Sequence, residues 1–545
     1  MYLPWVLCGR AGGQVAEPHE RCPIDPWIRA PRPPAAAGAS CQSHVIRDQF
    51  RSIQVNVDSR GCNILADAAN EPSIAVSLTE PRKMVIGWRQ FNSVASDFRE
   101  PGWAYSHDGG HTWVFRGSLD PGVFGSDPVL APAPDGQILY VTVNAEDDTR
   151  LFRSLDGGMT WPQITQVAPY WYDKPWVAVD ITGGVGRGNI YVTSPYSRLF
   201  LRSIDGGVSF QAPPVTNGAL VGDTVAVGAD GTVYVVEGCD SVKFEKSTTV
   251  QDSSLAPTVE GAALVLGHGF STCRGAPSGG LSGQAWVAVD GSSGVTRGNI
   301  YILTLGVTDP VQSGNRDPAD LVFTSSADGG RRWSRRIVIN DDPLSLTSWQ
   351  WFHTLSVAPN GRIDVTWNDT RDSDQPILSE FFYSYSTDGG QTWSGNTPVS
   401  PVFDVQVGFP AGSPKLGDYY HQASDNLGVN VAYAATFNGE QDIYFLRIGP
   451  WDCNANEIDD AADISEARSR DCNANDVPDE CEYRADVDGD GLTTLSDFTA
   501  FRAALTGPTA DTAVPHPCFE LLDPDHDGDM DLADFYLLEH VFVAP

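Results

Sequence analysis

Along the first 450 positions, short apolar runs separated by turn residues recur in a constant order. The first unit reads NEPSIAV, KMVIGW, GWAYS, a turn, then TWVFRG. The next are SDPVLAP, QILYVTV, RLFRS and then DKPWVAVD, NIYVTSP, LFLRS. A fourth reads GDTVAVG, TVYVVEG, VKFEKS, and a fifth GQAWVAVD, NIYILTL, LVFTS. A sixth reads FHTLSVAP, IDVTWND, FFYSY, and a seventh GDYYHQAS, VNVAYAA, DIYFLRI. Runs this short, rich in Val, Ile and Tyr and bounded by Gly, Pro, Asp and Asn, predict β-strands. Four antiparallel strands in units of about 45 to 60 residues predict propeller blades. The seventh unit lacks a fourth strand, and the early SIQVNV is expected to supply it and close the ring. The fold class expected is therefore all-β, a β-propeller of seven blades with six as the alternative, followed by a small α-helical module.

Between the third and fourth strands stands a repeated turn: YSHDGGHTW around Asp108, RSLDGGMTW around Asp156, RSIDGGVSF around Asp205, SSADGGRRW around Asp328 and YSTDGGQTW around Asp388. The fourth unit has lost it. Each Asp is expected to accept backbone N–H bonds inside its turn while the glycines take φ > 0. Trp113, Trp161, Trp333 and Trp393 are expected to bury between blades. These Ser-x-Asp-x-Gly-x-x-Trp turns resemble the Asp boxes, or BNR repeats, of the sialidase superfamily, over roughly residues 44 to 450. The resemblance implies a propeller fold, six blades in those sialidases, and boxes lying away from the substrate site.

Strand order separates two faces. Turns after strands one and three share one face; loops after strand two and the links between blades share the other. Near the start of each first strand stand Glu71, Asp127, Asp173, Asp223, Gln284, His353 and Asp418, so the mouth of the central channel is expected to carry a ring of acids. Arg89, Asp369 and Arg371 follow from strand two, and Tyr172, Trp176, Trp286, Trp351, Tyr419 and Tyr420 add flat rings suited to stacking on sugars. One reading has each carboxylate capping a neighbouring blade's backbone. The other makes Glu71, Asp127, Asp173, Asp223, Asp418, Trp176 and Trp286 a glycan or cation site, because converging carboxylates raise one another's pKa and can supply a general acid. An active sialidase, by resemblance, would also need three arginines for the sialic acid carboxylate, a Tyr nucleophile with a Glu partner, an Asp acid/base and an early Arg-Ile-Pro motif. That motif is absent here. The catalytic candidates the pattern offers are Arg89, Arg371, Asp127, Asp173 and Tyr420, with Tyr419 as an alternative nucleophile and Glu71 or Glu237 as its partner.

The net charge of -35 speaks against a nucleic-acid partner or an anionic membrane surface. No apolar run is long enough for a membrane span. Residues 451–545 hold 24 Asp/Glu against 4 Arg, a balance of -20. Ten cysteines include no Cys-x-x-Cys pair and suit disulfides in an oxidising compartment, with Cys41–Cys62 and Cys239–Cys273 as plausible neighbours. Residues 1–43 read as an atypical or truncated secretion signal with a Pro/Ala linker. The expected location is extracellular or at the cell surface.

The acidic end has chelating spacing. DVDGDGLTTLSD places Asp486, Asp488, Asp490, the Leu492 carbonyl, Thr494 and Asp497 at the EF-hand ligand offsets, and DPDHDGDMDLAD repeats this with Asp523, Asp525, Asp527, the Asp529 carbonyl, Asp531 and Asp534. Such hard oxygen sets suit Ca²⁺. Each loop runs into a helical pattern, and the tandem over residues 486–545 resembles a dockerin module, which implies a cohesin-like or cell-surface partner. Over residues 451–485, DCNANEIDDAAD and DCNANDVPDECE resemble the calcium repeats of thrombospondin type 3. The resemblance implies Asp452, Asn454, Asn456, Asp460 and Asp463, then Asp471, Asn473, Asn475, Asp479 and Glu482, as ligands, with Cys481 embedded; a disordered acidic spacer is the other reading. The function expected is a secreted or surface-attached, sialidase-like propeller (44–450) that recognises a glycan or glycoprotein and carries a calcium-ordered attachment tail. An exo-glycosidase of sialidase type and a structural or adhesive surface protein are the alternatives.

Overall fold

The computed structural model describes residues 44–144, 148–168, 173–195, 198–215, 220–238, 241–264, 276–306, 319–343, 348–373, 375, 377–482, 486–487, 495–505, 518–523 and 530–538. Seven antiparallel sheets follow one another along the chain. Blade 1 comprises Ala68–Val76, Met84–Phe91, Glu100–Ser106 and Val114–Ser118; blade 2 comprises Gly125–Pro132, Ile138–Asn144, Thr149–Ser154 and Gln163–Ala168. Blade 3 has three strands, Trp176–Val179, Ile190–Ser194 and Leu199–Ser203, with a single Arg202–Gln211 bridge outside them. Blades 4, 5 and 6 begin at Thr224–Val227, Trp286–Val289 and Gln350–Val357, and blade 7 at His421–Ser424. The first strands of successive blades are neighbours around a closed ring, so the apolar faces of these Val- and Ile-rich strands are buried between blades.

The ring closes where the missing strand predicted. Phe50–Gln54 lies antiparallel on the outside of blade 7, pairing Ser52 with Leu446, Ile53 with Phe445 and Gln54 with Tyr444. The Val55 amide extends the ladder to the Ile443 carbonyl at 2.8 Å. A propeller joined this way has its first and last segments in one sheet, so opening the ring costs a whole strand of hydrogen bonds.

The repeated turns show why their sequence recurs. In each, the Ser hydroxyl donates to the Asp carboxylate and accepts the amide of the second glycine, as with Ser106–Asp108 at 2.6 Å and Gly110 to Ser106 Oγ at 2.8 Å. The Asp carboxylate then accepts an amide four residues on: Thr112, Thr160, Ser209, Arg332 and Thr392. The turn satisfies its own polar groups. Hydrogen bonds from the Thr392 hydroxyl and amide hold the Asp388 carboxyl down at about 2. The second glycine has φ > 0 and packs closely on the preceding blade, against a Phe ring at Gly110, Gly330 and Gly390 and against aliphatic side chains at Gly158 and Gly207; at Gly330 an added Cβ would lie 2.5 Å from Phe244. Trp113 is buried against Phe445 of blade 7, whereas Trp161, Trp333 and Trp393 are half-buried, because each turn projects from the rim of its sheet.

After the propeller the described residues include four short α-helices, α1 (Asp460–Ser465), α2 (Leu495–Ala504), α3 (Phe519–Leu522) and α4 (Leu532–Leu538). Phe501, Leu522 and Met530 form a small core packed by Phe498 and Phe535. Cys453–Cys481 and Cys472–Cys518 are disulfides that staple this segment.

Candidate functional site

The channel mouth is built from irregular starts to the innermost strands. The pairing of first and second strands slips between Asn70 and Ser73, between Ser126 and Val129, and between Trp351 and Thr354. The residues inside these bulges include Glu71 (φ 54°), Asp127 (φ 51°) and Phe352 (φ 48°). Lys174 (φ 53°) has the same conformation, and Glu71, Asp127 and Lys174 each precede a proline. Bulges re-aim side chains at the rims of closed sheets. In blade 3 the residue equivalent to Glu71 and Asp127 is thus Lys174 and not Asp173, whose carbonyl accepts the Ser194 hydroxyl at 2.6 Å.

The expected ring of acids is interrupted at blade 3 by Lys174, and two cations that the pattern did not identify, Lys174 and Lys415, join Arg89 beside the remaining acids. Glu71 lies 3.3 Å from Arg89 and 3.6 Å from Lys415. Asp418 lies 2.8 Å from Lys415 and 3.4 Å from Lys174. Burial pushes the Glu71 carboxyl up to about 7, against the pull of Arg89 and Lys415. Several carboxylates also bond backbone across blades. Asp127 accepts the Lys174 amide at 2.8 Å, Asp223 the Ala285 amide at 3.0 Å and Asp418 the Leu281 amide at 2.7 Å. Burial raises Asp223 to about 6. The only advance signal for Lys174 was its place in the recurring X-Pro step; Lys415 sits in a link and had none.

Two inter-blade links cross the mouth. Gln406 donates to the Pro277 carbonyl at 2.8 Å, and the Leu416 amide to Ser278 at 3.0 Å. Below them Trp176 meets Trp286 edge-on at 4.9 Å and Tyr419 at 5.7 Å, while His421 stacks on Trp286 at 5.7 Å. Trp176 and Trp286 are buried, and their rings are taken up by one another, Tyr419 and His421. Gln284 and His353 are buried too, and burial lowers the His353 imidazole to about 3. Tyr420 lies in the core, its hydroxyl donating to the Ala434 carbonyl at 2.6 Å. Glu237 is half-buried on the second strand of blade 4, and Tyr172 lies outside the described residues.

The two arginines singled out from sequence are both committed. Arg89 is fully buried and donates to Asn70 at 2.9 Å. Arg371 grips Asp369 through Nε at 2.9 Å and Nη2 at 2.7 Å, and reaches Asn396 at 3.0 Å and Asp341 at 2.5 Å. It also lies over the Phe382 ring at 4.6 Å.

On the opposite face, the acidic tail packs against the first Asp-box turn. The His111 and Trp451 rings are 4.0 Å apart, Arg82 donates to the Glu480 carbonyl at 3.2 Å, and Asn426 donates to Glu457 at 2.6 Å. Two loops there have one geometry. In the first, Asp452 accepts the Asn456 and Glu457 amides, and the Asn454 and Asn456 side chains turn to Asp463 at 3.4 and 2.6 Å. In the second, Asp471 accepts the Asn475 and Asp476 amides, and Asn473 and Asn475 turn to Glu482 at 2.9 and 2.6 Å. Asp460 and Asp479 instead brace the loops by accepting the Cys453 and Cys472 amides. Asp463 and Glu482 are buried, and burial pushes Glu482 up to about 8. Farther on, Asp486, Asp497, Asp523 and Asp534 are buried and Asp531 is half-buried. Asp488, Asp490, Leu492, Thr494, Asp525, Asp527 and Asp529 lie outside the described residues, as do Cys41, Cys239 and Cys273. Cys62 is disulfide-bonded.

No protein-family model matches the chain. A xyloglucanase from Paenibacillus sp. is 24% identical over 333 residues, 54% of this chain and 30% of that protein, so the chain spans less than a third of that relative's length. Among solved structures, a protein of unknown function from Dyadobacter fermentans covers 74% of this chain and all of its own at 15% identity, with a TM-score of 0.41. A xyloglucanase from Xanthomonas campestris aligns over 70% of this chain and 52% of its own at 15% identity (TM-score 0.42). A Hadza microbial sialidase aligns over 70% and 65% at 14% identity (TM-score 0.36). The seven antiparallel sheets of its own strands make the chain a seven-bladed β-propeller, and its structural neighbours include sialidase and xyloglucanase propellers.

Proposed function

We propose that the protein is a secreted or surface-attached propeller that recognises a glycan or glycoprotein without hydrolysing it, and that a calcium-ordered tail attaches it to a cohesin-like or cell-surface partner. The observation that carries the tail's role is its paired loops, which gather carboxylate and carboxamide groups in one arrangement twice. Oxygen-rich sets of this kind suit Ca²⁺, and the loops pack on the Asp-box face, leaving recognition to the opposite rim. The disulfides favour an oxidising compartment, and among the described residues no helix is long and apolar enough to cross a membrane.

The commitment of Arg89 and Arg371 argues against sialoside hydrolysis, because a substrate carboxylate would have to displace internal carboxylates already paired in a dry setting. A fluorogenic sialoside should therefore not turn over at neutral or mildly acidic pH with Ca²⁺ present, and turnover abolished by Arg371→Ala would overturn the non-hydrolytic reading. The filled channel mouth favours a second reading, a structural or adhesive protein with no small ligand. A glycan array probed with the full chain separates the two: saturable binding supports recognition, and an array without binding supports the second reading. For the tail, hydrogen exchange over residues 452–482 should slow on adding Ca²⁺, with half-effect on the order of 10⁻⁴ M as in extracellular modules.

A further inference from the structure

The Asp box of blade 5 differs from the other four in charge. Its sequence GGRRWSRR, Gly329 to Arg336, puts four arginines into six residues of a chain that holds 35 Lys and Arg against 70 Asp and Glu. Arg331, Arg332, Arg335 and Arg336 are all exposed. The backbone of Arg332 and Arg335 is bonded, to the Asp328 carboxylate and the Ser334 hydroxyl, and Arg332 acts on Asp328 through its charge. Among the described residues the side chains of Arg331, Arg332 and Arg335 make no ion pair and no hydrogen bond. Arginines elsewhere on the propeller are engaged: Arg150 and Arg371 by carboxylates, Arg153, Arg187 and Arg297 by backbone carbonyls. Lys246 adds a fifth cation beside the box, donating to the Gly329 carbonyl at 2.7 Å and pairing with Glu260 at 3.3 Å.

The turn itself does not need these arginines. Blade 6 builds the same turn from GGQTWSGN, Gly389 to Asn396. The Ser334 amide donates to the Ser325 carbonyl at 2.8 Å and the Ser394 amide to the Tyr385 carbonyl at 2.8 Å, so the two backbones follow one course. In the other four boxes the position of Arg332 is held by Thr112, Thr160, Ser209 or Thr392, and each hydroxyl donates to its box Asp. Arg332 forgoes that bond and turns a guanidinium to solvent. The mount is rigid, because the Trp333 indole donates to the Gly330 carbonyl at 3.2 Å and meets Phe244 edge-on at 5.0 Å.

A short run dense in arginine is the electrostatic footprint of a polyanion site. Six residues span at most about 20 Å, a strip that successive anionic groups of one polymer can follow. Guanidinium forks match carboxylate and sulfate oxygens pairwise. Nucleic acid duplex carries a charge every 1.7 Å or so on a wide, stiff body, which would press its phosphates onto the surrounding acidic surface; a thin chain charged only at some of its sugars touches the strip alone. We propose that the outer edge of blade 5 binds an anionic polysaccharide, a chain bearing uronic acid or sulfate groups, through Arg331, Arg332 and Arg335. The site lies on the box side of blade 5, away from the channel mouth and from blades 7 and 1 where the tail packs, and it stands apart from both roles proposed above.

The test uses the full chain at a fixed Ca²⁺ concentration, with heparin as the sulfated probe and hyaluronan as the uronic acid probe. At least one should bind saturably, which of them assigning sulfate or carboxylate, and uncharged dextran should not bind. A readout that needs no variant is salt: counterion release from three neutralised charges should weaken heparin binding about 20-fold between about 50 and about 200 mM salt. Arg331→Gln/Arg332→Thr/Arg335→Gly, which copies blade 6, should bind at least about tenfold more weakly and unfold at the same temperature or higher, since Arg332→Thr supplies the hydroxyl that the other boxes give their Asp. Binding that survives in this variant, binding indifferent to salt, wild-type protein that holds neither acidic chain, or single-stranded DNA held more tightly than both would overturn the proposal. The variant leaves the channel mouth intact, so binding on a glycan array that it keeps belongs to the entrance face, and binding that it loses belongs to blade 5.

Discussion

The paired glycines of the fifth blade's Asp box allow backbone strain and blade packing to be measured separately. Gly329 and Gly330 both have positive φ, 73° and 84°. A Cβ at Gly329 would meet only the Lys246 Nζ at 3.7 Å, whereas one at Gly330 would lie 2.5 Å from Phe244 Cε1 and 2.8 Å from Cζ. Left-handed backbone costs a non-glycine residue about 1–2 kcal/mol, so Gly329→Ala should destabilise by that amount. Gly330→Ala bears the same strain and adds overpacking against a ring held edge-on by Trp333 at 5.0 Å. Overpacking in a filled core adds about 1–3 kcal/mol, for a total of about 2–5. Urea unfolding of the full chain at constant Ca²⁺ measures both, and Phe244→Leu in the Gly330→Ala background should recover about 1–3 kcal/mol as coupling in the double-mutant cycle. Equal losses at the two glycines, or zero coupling to Phe244, would refute the view that the second glycine exists to seat the preceding blade's ring.

Other outcomes follow from the same geometry. Arg371→Ala should destabilise by about 3–5 kcal/mol, since it strands Asp369 in the interior, and a thermal scan showing a shift like that of a surface arginine would contradict this. Asp388, held at about 2 by Thr392, has a folded pKa below the unfolded value of about 3.9. Its contribution is therefore present above pH 4 and lost as pH falls through 2; Thr392→Val should raise the Asp388 titration midpoint observed by NMR and flatten that part of the acid-stability profile. Deleting residues 44–54 removes the strand that pairs Ile53 with Phe445, so hydrogen exchange at the Phe445 amide, which faces that strand, should rise toward that of an edge strand while the Tyr444 and Leu446 amides, which face the second strand of blade 7, change less; unchanged protection at Phe445 would mean that closure does not depend on it.

Much of the propeller was written in local patterns. A blade is made of strands a few residues apart, and the Asp box closes its hydrogen bonds within nine residues, so both could be read from spacing alone. The closing strand was legible as well, because the seventh unit ends the propeller pattern one strand short while SIQVNV stands unassigned before the first unit. The segregation of box turns to the face opposite the channel mouth follows from strand alternation, and the tail packs on that face because the third strand of blade 7 ends there at Ile448, where Trp451 meets His111 of the first box. The repeated Asp/Asn spacing of the tail loops was equally local. What the sequence could not determine is which charges meet. Glu71, Arg89, Lys174, Lys415 and Asp418 converge from four separate segments, and only the closed ring brings the lysines under the acids and folds two links across them. The candidate ligand aromatics were read as a lining because their positions point inward; whether inward-facing rings leave a space or fill it depends on the channel's width, which set Trp176 against Trp286 and His421.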